Sequence, residues 1–181
     1  VIRVWSRARS AIARRWEAAN DLLCFFGGLG KGAQHAAWQA AYRAEAAARE
    51  SLVYAQGLLD LVKAFERVPH HLVWAAAKEL GFDLYILRRS LASYRLPSAV
   101  AIDGRYSRLV IAQIGITAGS GFATYELRIL LFGVVSKAHC RWPYVTLTLY
   151  VDDLTIETTG NCEDAAGRNA AAVNGICKIL Q

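Results

Sequence analysis

The chain has 181 residues, 55% of them hydrophobic, and a formal net charge of +6. That length and apolar content suit one packed domain, or about one and a half, and argue against a disordered chain. The longest apolar stretch, Ile129 to Val135, is far shorter than the ~20 residues that span a bilayer. No segment has the charged-then-apolar order of a signal peptide, so soluble, intracellular residence is expected, with nucleus and cytoplasm undecided.

Cys24, Cys140, Cys162 and Cys177 lie far apart, and His35, His70, His71 and His139 do not supplement them at ligand spacing, which argues against a zinc site or a disulfide framework. The positive charge favours a polyanionic partner but fits many proteins that have none. The absence of methionine and the end at Gln181, inside an apolar helical stretch, lead to the expectation of a fragment of a longer protein.

In chain order, Arg3 to Asn20 is rich in Ala and Arg and reads as a helix, as does the Ala-rich run Ala33 to Glu50. Gly27, Gly28, Gly30 and Gly32 break the two, and without a G-K-[ST] ending they read as a connector rather than a phosphate loop. Ser51 to Val62 is an apolar stretch interrupted by Asp60 and reads as a buried strand. His70 to Leu80 reads as a helix stopped by Gly81, and Asp83 caps another reaching about Tyr94.

Ala99 to Ile102 and Arg108 to Gln113 carry β-type residues around Asp103-Gly104, a dipeptide suited to a tight hairpin. Gly115 to Gly121 is a loop opening a helix over Phe122 to Lys137. After Pro143, apolar Val145, Leu147, Leu149 and Val151 alternate with Thr146, Thr148, Tyr150 and Asp152, and Leu154 to Thr158 continues the strand pattern. The turn between these strands is expected at Asp152-Asp153, and Asn161 to Gln181 begins a last helix. This order of elements predicts an α+β fold with an antiparallel sheet flanked by helices and a helical N-terminal lead.

Two adjacent aspartates at a hairpin tip repel each other unless a cation neutralises them. A solvated acidic turn is the plain alternative. Asp60, flanked by Leu58, Leu59, Leu61 and Val62, is a carboxylate in an apolar strand and needs a partner, either a cation or the nearby Lys63 or Arg67. Three converging carboxylates are hard oxygen ligands of the kind Mg²⁺ takes, and two such ions suit nucleotidyl transfer.

The run from Leu59 to His70, L-D-L-V-K-A-F-E-R-V-P-H, resembles the first palm motif of reverse transcriptases, notably those of non-LTR retroelements and group II introns. Val100 to Gly104 with Gly115 to Ser120 is similar to their hairpin and second palm motif, and Tyr150-Val151-Asp152-Asp153 to the aromatic-x-Asp-Asp signature. The pieces stand in the family's order over roughly Ala33 to Gln181.

The resemblance implies a reverse transcriptase palm over residues 51–160, a helical lead-in (partial fingers or a connector) over 1–50, and the start of a further helix over 161–181. It also implies an RNA-directed DNA polymerase that adds deoxynucleotides to the 3′-hydroxyl of a DNA primer on an RNA template. Asp60 and Asp152 would bridge two Mg²⁺ ions (Mn²⁺ substituting), with Asp153 assisting and the Leu61 carbonyl as a further ligand. Lys63 would lie near the triphosphate, and Phe65 beneath the sugar, unless it is an ordinary core aromatic. Tyr150 would face the primer end, and Gly119 and Ser120 the incoming base pair; a strand aromatic and a turn before a helix are the plain readings of these.

The sequence departs from the family where Thr117-Ala118 replace Pro-Gln, and Glu66 stands for a later Asp. The lysine-bearing motif after the Asp-Asp hairpin, the thumb and the basic fingers motifs are not recognisable. The fragment alone is therefore expected to be inactive. A decayed retroelement remnant that only binds nucleic acid is the alternative; RNA-directed RNA synthesis and an unrelated interaction domain stand behind it.

Overall fold

The computed structural model of the protein describes residues 2–28 and 30–181, excluding the side chains of Ile2, Cys162 and Glu163. The thiol of Cys162, counted above, thus lies outside the described residues. The chain divides into two compact units, one of Val1–Asn20 and Lys63–Leu130, the other of Asp21–Val62 and Leu131–Gln181. No helix among the described residues is long and apolar enough to cross a membrane.

In the first unit, α1 (Ile2–Ala19) buries one side through two tryptophans. Trp5 meets Phe122 edge-on at 5.4 Å between centroids, and Trp16 meets Phe82 at 5.2 Å. The Trp16 Nε1–H donates to the Leu80 carbonyl at 2.9 Å, which satisfies the ring's polar end in the core. Glu17 and Arg128 form an ion pair at 2.6 Å with both side chains largely buried.

The helices α3 (His70–Glu79) and α4 (Leu84–Tyr94) follow the sequence closely. Asp83 caps α4, its Oδ1 accepting from the N–H of Tyr85 at 2.9 Å and of Ile86 at 3.0 Å. The expected hairpin forms, but its strands are only β2 (Ala101–Ile102) and β3 (Arg105–Tyr106). Asp103 and Gly104 take φ of 50° and 76°, the paired positive values of a type I′ turn. The second strand therefore starts at Arg105, not at Arg108; beyond it Ser107 N–H donates to the Val100 carbonyl at 2.9 Å and Val110 pairs back with Ser98. Every residue from Arg95 to Ile114 is exposed, so the apolar run at 109–111 has no layer to pack on.

The helix α5 (Ala123–Arg141) begins in the first unit and ends in the second. The second unit holds α2 (Ala33–Arg49), β1 (Val53–Asp60), β4 (Thr146–Tyr150), β5 (Asp153–Gly160) and α6 (Cys162–Leu180). The sheet is antiparallel, in the order β1-β5-β4. The chain at Cys24 to Phe26 lies along β4, with Leu149 N–H donating to the Cys24 carbonyl at 2.7 Å and Phe26 N–H to the Leu149 carbonyl at 2.8 Å.

Alternation gives the sheet two unlike faces. On one, Leu147, Leu149, Leu154 and Ile156 are buried. α6 packs there, with Asn169 Nδ2 donating to the carbonyls of Ala55 (3.2 Å) and Ile156 (2.9 Å). Gly57 makes this approach possible, since a Cβ there would stand 2.5 Å from Val173. The other face carries Gln56, Leu58 and Asp60 on β1, Asp153, Thr155 and Glu157 on β5, and Thr148 and Tyr150 on β4, with α2 lying against it. The stretch expected as a buried strand is thus half-buried, with Leu58 73% exposed, because its second face is a polar one.

Candidate functional site

The register of the sheet sets the site. Asp60 is paired directly with Asp153, and Asp153 on its other side with Tyr150, so one rung carries all three. Directly opposed residues of an antiparallel ladder point to the same face, with Cβ atoms about 4.5–5.5 Å apart. Asp60, Asp153 and Tyr150 accordingly border a cleft of about 650 Å³ on the polar face. Leu58, Gln56, Thr148 and Thr155 also line it, and Ala33, Ala36, Ala37 and Ala40 of α2 form its opposite wall.

The turn differs from the expected one. The loop between β4 and β5 is Val151-Asp152, and Asp153 is already the first residue of β5. Asp152 is half-buried in the turn and does not line the cleft. The pair that the structure brings together is therefore Asp60 with Asp153. Val151 has a φ of 59°, which a β-branched residue rarely tolerates. This positive φ in the first loop position gives the two-residue hairpin its tight reversal.

Asp60 and Asp153 are exposed, which corrects the expectation of a carboxylate buried in an apolar strand. Solvent hydrates them, so no buried partner is required. Their repulsion across the rung remains, and a hard divalent cation held by two carboxylates relieves it. The donor set fits one Mg²⁺ bound through a carboxylate pair, its other ligands being water or phosphate. Among the described residues no three His, Cys, Asp or Glu side chains gather to hold a metal, so a site of three converging aspartates is not formed. Leu61 follows β1 directly and is half-buried.

The closed end of the polar face holds a group that the sequence did not single out. Glu157 is 1% exposed and accepts from the Arg43 guanidinium of α2 and from the Tyr54 hydroxyl of β1. Arg43 also donates to Thr148 Oγ1 at 3.2 Å. Burial, and next the Glu157 carboxylate, push the Tyr54 hydroxyl well above its ordinary range. The signal was available in the alternation of Asp153, Thr155 and Glu157, but its partner stands 114 positions away.

The remaining predicted site residues fall in the first unit. Lys63 is exposed with a φ of 55°, and Phe65 is half-buried. The segments 65–70 and 115–116 lie side by side: Ile116 N–H donates to the Phe65 carbonyl and Gly115 N–H to the Val68 carbonyl, both at 2.8 Å. Gly115, at φ 91°, allows this, since a Cβ there would meet the Glu66 carbonyl oxygen at 2.7 Å. The first and second motifs of the resemblance are thus joined. Gly119, at φ 80°, is exposed in open space. Ser120 is turned inward, its hydroxyl against the Tyr94 hydroxyl, which donates to the buried Glu126 at 2.8 Å.

No protein-family model matches the sequence, and no curated protein matches it. Among solved structures, the chain is similar to apo telomerase from Candida tropicalis, truncated from the C-terminal domain, with a TM-score of 0.63 at 11% identity. The match takes in 97% of this chain and 36% of that one, so the chain spans about a third of the length of that protein. At this identity the likeness is one of fold: a small antiparallel sheet flanked by helices, with a helical N-terminus.

Proposed function

We propose that this chain is the palm region of a reverse-transcriptase-like polymerase, centred on residues 51–160, whose chemistry is template-directed nucleotidyl transfer. The observation that carries the reading is the rung Asp60–Asp153–Tyr150 at the mouth of a cleft, in a chain with a telomerase-like fold. In this reading Asp60 and Asp153 hold Mg²⁺, and Asp152 joins them through movement of the strained Val151-Asp152 turn. The ion, when bound, lowers the charge on the triphosphate and activates the primer hydroxyl. Tyr150 packs against the primer end, and Lys63 attends the triphosphate.

Phe65, with its backbone tied to the turn before Gly119, acts as a steric filter for deoxynucleotides, which makes the product DNA. An RNA template, a DNA primer and deoxynucleoside triphosphates are the partners, with fingers and thumb supplied by a longer chain of retroelement type. Primer extension on RNA tests this, with Mg²⁺, deoxynucleotides against ribonucleotides, and Asp60→Asn and Asp152→Asn variants. Extension with deoxynucleotides that both variants abolish is the expected result; extension that survives Asp60→Asn overturns the site.

A second reading rests on the absence of a three-carboxylate cluster among the described residues and on α2 lying against the acidic face. A remnant that retains the fold and binds nucleic acid without chemistry fits both. It predicts salt-sensitive primer-template binding, unaffected by Mg²⁺ and by Asp60→Asn.

A further inference from the structure

Glu126 is the most completely buried carboxylate outside the cleft, at 0% exposure, yet no cation is paired with it among the described residues. It sits in the first turn of α5, where the helix end favours negative charge, but burial dominates and pushes its carboxyl above the ordinary carboxylate range. Its Oε1 is buried without a partner, while Oε2 accepts from the Tyr94 hydroxyl. That hydroxyl also meets Ser90 Oγ at 3.0 Å and Ser120 Oγ. An isolated buried acid of this kind is costly and needs a reason.

Donor accounting supplies one. Tyr94 has a single proton and three oxygen neighbours. With Glu126 accepting that proton, the contacts to Ser90 and Ser120 close only if both serines donate to the Tyr94 oxygen. The Ser120 proton is then committed inward. Its oxygen faces the Phe122 N–H at 3.4 Å, while its own backbone N–H donates to the Thr117 carbonyl at 3.0 Å. Replacing Glu126 by an apolar residue removes the acceptor of the Tyr94 proton, which then turns to a serine oxygen; where it takes Ser120 Oγ, the Ser120 proton is no longer committed to Tyr94 and is free to point outward.

We propose that Glu126 is a positioning residue for the 117–121 turn: acting through the Tyr94 hydroxyl, it holds the Ser120 side chain inward, so that the turn presents the Gly119 backbone rather than a hydroxyl. The geometry is independent of the polymerase reading; only the identity of what meets the turn, a nucleotide base pair, rests on it. The chain then distinguishes ligands here by shape against backbone and not by a serine hydrogen bond.

The test compares Glu126→Gln, Glu126→Leu and Tyr94→Phe in the 181-residue chain, reading the ¹³Cβ resonance of Ser120 and the amide resonances of Gly119 and Gly121 by NMR. Glu126→Gln keeps an acceptor for the Tyr94 proton and is expected to retain the wild-type resonances. Glu126→Leu and Tyr94→Phe are expected to move them, and in the same direction. Tyr94→Phe removes one oxygen and no packing volume, so it reports even if Glu126→Leu fails to fold. The proposal is overturned if Tyr94→Phe leaves Ser120 in place, if a folded Glu126→Leu chain leaves it in place, or if Glu126→Gln moves it as far as Tyr94→Phe does. Because no extension assay is involved, a chain without polymerase activity still decides the point.

Discussion

Replacing Glu157 by Leu removes the acceptor shared by Arg43 and Tyr54 while keeping most of the side-chain volume. Breaking a buried ion pair from one side costs about 3–5 kcal/mol. Glu157 is 1% exposed but the Arg43 side chain is 23% exposed, so solvent partly rehydrates the guanidinium and the low end, about 3 kcal/mol, applies. For a chain of this size about 3 kcal/mol lowers Tm by roughly 6–12 °C. The double variant Arg43→Met/Glu157→Leu removes both charges and is expected to lose only about 1 kcal/mol, a coupling of about 2 kcal/mol or more. Urea titrations followed by circular dichroism measure all three chains, with a constant slope showing that the denatured state is unchanged. A Glu157→Leu chain within about 0.5 kcal/mol of wild type, or a double variant equal to the sum of the singles, refutes the reasoning, since either outcome marks the pair as a solvated surface contact.

Asp60→Asn relieves the repulsion across its rung and is expected to raise Tm slightly in metal-free buffer while abolishing stabilisation by Mg²⁺; a thermal melt with and without the ion checks both. Val151→Asn replaces a β-branched residue at φ 59° by one that tolerates the left-handed region, and a gain of about 1 kcal/mol in chemical denaturation is expected. Asp83→Ala removes the cap of α4, with a loss of about 1 kcal/mol expected in the same measurement. Glu126 has a folded pKa raised above its ordinary 4.5, so the folded chain binds the proton more tightly. Its stabilising share is complete below 4.5 and is lost as pH rises through the folded value. The wild type is therefore expected to lose stability against Glu126→Gln across that window, and parallel pH-stability curves for the two contradict it.

Elements with a local chemical signature were legible in the sequence. Asp83 before an apolar helical run marked the start of α4, Asp103-Gly104 marked a hairpin, and the Thr/Leu alternation marked β4, each because the determinant lies within a few residues. The turn after β4 was misplaced by one residue because alternation runs unbroken through Val151 and Asp152. Nothing local announces that a valine adopts positive φ. That single step moves Asp153 into the ladder opposite Asp60 and leaves Asp152 in the loop, so the acids were legible but their pairing was not. The Arg43–Glu157 pair was hidden by distance along the chain, and Arg108 to Gln113 misled because strand-forming side chains here meet no second layer.

The two edges of the sheet differ. On the β4 edge the backbone N–H and carbonyl of Leu149 are occupied by Cys24 and Phe26. No strand among the described residues adds to the outer edge of β1. The longer open edge is therefore that of β1: an additional strand joins beside Val53–Asp60, whether it comes from a partner, a peptide or another unfolding copy. A lysine or proline placed at an outward-facing position of β1 is the economical guard against self-association when the chain is handled at high concentration.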